Sequence, residues 1–143
     1  MNRVFLFPGQ GSQVVGMGKD LYDSFSVARE VFEEVDHALK QNLSQIIFEG
    51  DMESLTMTAN TQPALMAVSV ALIRVIKDQT KKKLPELCQF VAGHSLGEYS
   101  ALCAAGSISL SDSARLLRIR GSAMQSACAP GLGGMVACLG TPI

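Results

Sequence analysis

Apolar residues in this chain fall in two short unbroken runs and, elsewhere, at helical spacing. Val4 to Phe7 is apolar throughout and stops at Pro8-Gly9-Gln10-Gly11-Ser12. A run this short, without polar alternation, predicts a buried strand entering a glycine-rich turn. Val27, Val31, Phe32, Val35, Ala38 and Leu39 then recur with polar residues between them. That spacing predicts an amphipathic helix, with Ser26 as its N-cap. Between residues 42 and 60 the pattern is weak: Leu43, Ile46, Ile47 and Phe48 suggest a short helix or turn, and Gly50-Asp51 a break. Pro63 suits the first turn of the next helix. Ala64, Leu65, Ala67, Val68, Ala71, Leu72, Val75 and Ile76 make that helix apolar around much of its circumference, so it should pack deep in the protein.

The second short run, Leu87 to Ala92, leads directly into Gly93-His94-Ser95-Leu96-Gly97. Glu98 to Ala105 combines helix formers and small residues, and Gly106 stops it. Ser111 with Asp112 opens a further helix, through Ala114, Leu117, Arg118 and Arg120 towards Met124. Ala129-Pro130-Gly131 breaks that pattern, and Met135 to Leu139 reads as a new strand. Strand, turn and helix alternate, which predicts an α/β fold with a parallel sheet between helices. Apolar runs without alternation predict strands buried on both sides. Only two or three strands can be counted, so the sheet should have open edges.

Composition narrows the class. The 143 residues fit one domain, and 48% apolar against 17% charged residues excludes a disordered chain. A net charge of −1 gives no footing for nucleic acid or an anionic membrane surface. The basic run Lys81-Lys82-Lys83 reads as a solvated loop. No stretch reaches the roughly 18 consecutive apolar residues that would predict a membrane span. The N-terminal apolar run is also too short for a signal peptide. Cys88, Cys103, Cys128 and Cys138 are widely spaced, with no histidine at metal-ligand spacing. Free thiols in a reducing cytoplasm, and no metal site, are the expectation.

The candidate chemistry lies in the two turns. Gly93-His94-Ser95-Leu96-Gly97 matches the G-x-S-x-G nucleophile elbow, which requires a strand, a sharp turn and a helix in immediate succession. The flanking glycines allow a strained backbone and close approach of strand and helix, so the Ser95 hydroxyl should project from the tip. A structural turn stays open as the alternative. The Pro8-Gly9-Gln10-Gly11-Ser12-Gln13 loop lacks the spacing of a phosphate cradle and suits an oxyanion hole or a plain tight turn. A nucleophilic serine also needs a base. His94 adjoins Ser95 and should point away from it, and His37 lies on an amphipathic helix, so neither histidine supplies one.

Four stretches, in order and spacing, resemble the malonyl-CoA:acyl carrier protein transacylases, the FabD-type acyltransferases of fatty acid biosynthesis. They are Phe7-Pro8-Gly9-Gln10-Gly11-Ser12-Gln13, Thr61-Gln62-Pro63-Ala64-Leu65, Gly93-His94-Ser95-Leu96-Gly97-Glu98-Tyr99-Ser100-Ala101-Leu102 and Arg118-Ile119-Arg120-Gly121. The resemblance implies that Ser95 carries the malonyl ester and that the amides of Gln10 and Leu96 form the oxyanion hole. It also implies that Arg120 pairs with the malonyl carboxylate and that Gln62 lines the same cleft. The implied substrates and partners are malonyl-CoA and acyl carrier protein, with no metal or redox cofactor. The implied fold is a three-layer α/β-hydrolase-like body interrupted by a ferredoxin-like subdomain. On that scheme residues 1–128 form the N-terminal part of the body and residues 129–143 open the insertion. The family's histidine base lies beyond the matched region, so this chain alone is expected to turn over negligibly and to depend on a missing C-terminal portion. A serine hydrolase or thioesterase using the same elbow, and a non-catalytic remnant, are the rival readings.

Overall fold

Among the described residues, two strands and eight helices are built from these runs. The computed structural model describes residues 3–127 together with residues 132, 133 and 140. Strand β1, Val4–Phe7, pairs in parallel with β2, Phe90–Gly93, in a register that sets Val4 opposite Phe90 and Phe7 opposite Gly93. The expected strand at Met135 to Leu139 lies outside the described residues. Parallel pairing requires a long crossover. Six helices supply it: α1 (Lys19–Ser24), α2 (Ser26–Leu39), α3 (Leu43–Glu49), α4 (Met52–Thr56), α5 (Thr58–Thr80) and α6 (Leu84–Leu87). After β2 come α7, Gly97–Ala104, and α8, Leu110–Ser126.

The main core lies between helices rather than on the sheet. Val31, Phe32 and Val35 of α2, Ala64, Met66, Ala67 and Ala71 of α5, and Ala114 and Leu117 of α8 are buried together. Phe32 also packs edge-on to Phe48, with ring centroids 4.9 Å apart, closing the α2–α3 corner. Such a geometry adds roughly 1 kcal/mol to area burial. Helix α5 is long and apolar enough to cross a bilayer, but most of it is enclosed by protein, as its all-round apolar pattern predicts for a core helix.

A second, smaller core joins Phe7 of β1, Ile73 of α5 and Ala101 of α7. It covers one face of the sheet. The expected burial is met on that face alone among the described residues: on the other, Leu6 is 77% and Phe90 68% exposed, with no described layer over them.

Several element boundaries also differ from the sequence reading. Ser26 is the first residue of α2, whose N-cap is Phe25 without a side-chain cap bond. Helix α5 begins at Thr58, which places Pro63 inside it rather than in its first turn, and the helix forgoes one backbone bond there. The Leu87–Ala92 run is divided: Leu87 ends the one-turn helix α6, which has Pro85 near its start, and the strand begins at Phe90. Helix α8 is capped not by Ser111 but by Ser109, whose hydroxyl accepts from the Asp112 amide at 3.0 Å. Among the described residues, Cys88 and Cys103 are free thiols, and burial pushes the Cys103 thiol up from its ordinary value.

Candidate functional site

The register of the two strands sets the site. Because Phe7 lies opposite Gly93, the segments after β1 and β2 leave the sheet side by side at its carboxyl end. The first is the Pro8–Gln13 loop and the second the turn His94-Ser95-Leu96 before α7. The His94 amide donates to the Phe7 carbonyl at 3.1 Å, extending the pairing one step beyond the strands. In open α/β sheets ligands bind at this end.

Ser95 is exposed and has a backbone φ of 56°, in the left-handed region that an L side chain enters only at a cost. Steric demands on both sides explain how the turn is held. A Cβ on Gly93 would stand 2.0 Å from the carbonyl carbon and oxygen of Gly97, and one on Gly97 would stand 2.3 Å from the Phe7 oxygen. Strand and helix thus meet through backbone alone, and the bend between them has to be sharp. Leu96 anchors the turn from within, its side chain only 1% exposed.

The neighbouring loop is braced by its own side chains. Buried Gln13 accepts from the Gly11 amide at 2.8 Å, and the Ser12 hydroxyl donates to the Gly9 carbonyl at 2.8 Å. Gly11 has a φ of 109°, which the loop requires and glycine supplies. The Gln10 side chain is exposed and donates weakly to the Thr58 hydroxyl at 3.4 Å. Among the described residues the backbone amides of Gln10 and Leu96 donate to no protein acceptor. Gly9 lies so close to the His94 ring that a Cβ there would be 2.5 Å from Nδ1. His94 therefore packs against the loop, and His37 is exposed in the last turn of α2, as their sequence positions suggest.

A cation completes the cluster. Arg120 on α8 donates through Nη2 to Ser95 Oγ at 3.0 Å and through Nη1 to Gln62 Oε1 at 2.8 Å. Gln62, on α5, is fully buried and donates in turn to Met124 Sδ at 3.3 Å. The glutamine therefore stands behind the arginine and orients it, rather than facing an open cleft. A guanidinium beside a hydroxyl favours any negative charge that develops on that oxygen, and its fork matches a carboxylate.

The structure thus brings Ser95, Arg120 and Gln62 into one bonded chain and sets Gln10 and Leu96 on the two turns at the same end of the sheet. Sequence reasoning gave no role to Gln13, although it belongs to the same loop motif, because only the fold shows its side chain turned inward. Asn60 and Gln41 were also passed over: each holds the second arginine of α8, Arg118, and nothing in their local sequence signals it.

The acyl transferase domain family matches residues 4–140. The chain is 49% identical over 95% of its length to the malonyl CoA-acyl carrier protein transacylase of Bacillus subtilis (strain 168), of which it covers 41%. Among solved structures, the acyl-carrier-protein-S-malonyltransferase of Bartonella henselae superposes with a TM-score of 0.87 at 64% identity, over 90% of this chain and 41% of that one. A malonyl-transacylase in complex with a type II PKS acyl-carrier protein superposes with a TM-score of 0.83 at 42% identity, over 92% of this chain and 41% of that one. The chain thus spans about 41% of the length of these relatives.

Proposed function

The chain belongs to the acyl transferase domain family, and from that premise we propose that the full-length protein moves a malonyl group from coenzyme A to the phosphopantetheine thiol of acyl carrier protein. The observation that carries the reading is the Arg120 guanidinium, 3.0 Å from the Ser95 hydroxyl at a strained strand-to-helix turn. A pocket for a neutral acyl chain is harmed by a cation at that place, whereas a carboxylate-bearing acyl group is held by it.

In the first half-reaction Ser95 Oγ attacks the thioester carbonyl, and its proton passes to a base. Neither His37 nor His94 is placed for that, so we assign the base to a histidine outside residues 1–143. The tetrahedral oxyanion would be met by the unpaired amides of Gln10 and Leu96, the second of them at the N-terminus of α7. Collapse breaks the C–S bond, and the departing coenzyme A sulfur takes the proton. In the second half the carrier's thiol gives its proton to the same base and attacks the serine ester, forming the new thioester and restoring the hydroxyl. This is ping-pong transfer with one covalent intermediate. Arg120, steadied by Gln62, would hold the malonyl carboxylate throughout.

The same reading makes residues 1–128 the opening part of a three-layer α/β-hydrolase-like body and residues 129–143 the entry to a ferredoxin-like subdomain. The uncovered sheet face around Leu6 and Phe90 supports it, since further layers would bury those side chains. It places the enzyme in cytoplasmic fatty acid biosynthesis.

The test is substrate preference. Truncating one partner of a buried charge-assisted contact costs about 2–4 kcal/mol, so Arg120→Ala should lower kcat/KM for malonyl-CoA by about 30- to 1,000-fold. Transfer from acetyl-CoA, which has no carboxylate to hold, should change far less. Equal losses for the two donors would move the assignment to a serine hydrolase or thioesterase.

A further inference from the structure

Arg118 and Arg120 lie two residues apart on α8, and their hydrogen-bond partners Asn60 and Gln62 lie two residues apart on α5. Residues separated by two turn about 200° around a helix, so each pair diverges to opposite flanks of its helix. Between the flanks the helices touch through backbone: a Cβ on Gly121 would be 2.6 Å from the Thr58 carbonyl oxygen and 2.8 Å from the Ala59 Cα. The α5–α8 crossing is therefore a close contact gripped on both sides by an arginine. Arg120 grips the side that opens on Ser95.

The Arg118 side is a closed polar knot. Nη1 donates to Asn60 Oδ1 at 2.9 Å, and Nη2 donates to Gln41 Oε1 in the loop between α2 and α3. Gln41 Nε2 donates back to Asn60 Oδ1 at 3.4 Å, and Asn60 Nδ2 donates to the Ser54 carbonyl at 2.8 Å. Among the described residues no carboxylate lies within ion-pair distance of Arg118, although its side chain is half-buried. Burial without a counter-ion holds its guanidinium below the usual arginine range. A half-buried cation served only by neutral amides is a costly way to secure a helix. What it gains is rigidity with no anion near the site, so the positive charge at Arg120 is left undiminished for an anionic acyl group.

We propose that Arg118 is a positioning residue, locking the α5–α8 crossing through Asn60 and Gln41 so that Arg120 is aimed at the carboxylate of the acyl group on Ser95. The inference rests on the malonyl-transfer reading and adds to it the element that fixes acyl specificity. Misplacing a binding group by about 1 Å costs on the order of 10²-fold, so loosening the knot should be felt mainly by the substrate Arg120 holds.

The experiment uses full-length wild type, Arg118→Gln, Arg118→Lys, Arg120→Ala and the Arg118→Gln/Arg120→Ala double variant, each assayed with malonyl-CoA and acetyl-CoA and checked for thermal midpoint. Arg118→Gln is expected to raise KM for malonyl-CoA and to lower the malonyl-to-acetyl preference about tenfold. In the Arg120→Ala background the same change should have no further effect on preference, since nothing is left to aim. Equal loss with both donors, or a preference change that multiplies with that of Arg120→Ala, overturns the proposal and leaves Arg118 a packing residue. If Arg118→Gln does not fold, Arg118→Lys decides. It keeps the charge but cannot span both amide oxygens in one plane, and wild-type preference in it overturns the proposal. A wild type without malonyl preference removes the functional reading itself, a result visible before any Arg118 variant is made.

Discussion

Incubated with malonyl-CoA and weighed intact, the full-length protein is expected to gain the mass of one malonyl group, and Ser95→Ala to gain none. The expectation follows from the turn. Ser95 is exposed on the bend between β2 and α7, and its oxygen already receives a hydrogen bond from Arg120. Removing the nucleophile of a serine enzyme lowers turnover by about 10⁶ in the best-studied precedent, so transfer to carrier protein should fall to background. Ser95→Ala should fold normally, because the site is exposed and both residues meet the same backbone constraint at φ 56°. A serine variant that still became malonylated would show that the acyl group is carried elsewhere.

Gly93→Ala is expected to have the largest effect on folding. A single methyl there would stand 2.0 Å from the Gly97 carbonyl and 2.4 Å from the Glu98 amide nitrogen, all backbone atoms with no rotamer to yield. Either β2 leaves β1 or α7 moves off the sheet, and both dismantle the small core of Phe7, Ile73 and Ala101. The cost should exceed about 4 kcal/mol, at the exceptional end of single substitutions. Gly11→Ala is the control. Nothing lies within 4 Å of its would-be Cβ, so it meets only the strain of φ 109°, on the order of 1–2 kcal/mol. Urea unfolding of the two variants checks the difference. Equal midpoints would mean that strand and helix do not meet at Gly93.

How much of this was legible before the fold was known depends on how local each signal is. Val4–Phe7 was readable to the residue because a proline and a glycine end it directly. The elbow was readable because it needs glycines where the backbones collide. Pro63 misled because a first-turn proline and a tolerated mid-helix one look alike in sequence, and only the packing of Asn60 and Thr61 against α4 and α8 shows that the helix began earlier. Ser109 and Ser111 compete for the cap of α8 two residues apart, and the backbone path decides between them. Arg118 and Arg120 of α8 posed the harder problem. Their spacing sends them to opposite flanks, but which flank faces Ser95 depends on the crossing with α5, a contact between residues 58 apart in the chain. The resemblance singled out Arg120, which the structure sets 3.0 Å from Ser95 Oγ, whereas periodicity alone reads it as a surface charge.

The backbone at Ser95 sits where glycine would rest without strain. Thermodynamics and chemistry therefore pull in opposite directions at this residue: Ser95→Gly should gain about 1 kcal/mol of stability while erasing the hydroxyl. A laboratory library sorted for soluble expression alone would enrich glycine at residue 95 and silently discard the proposed nucleophile.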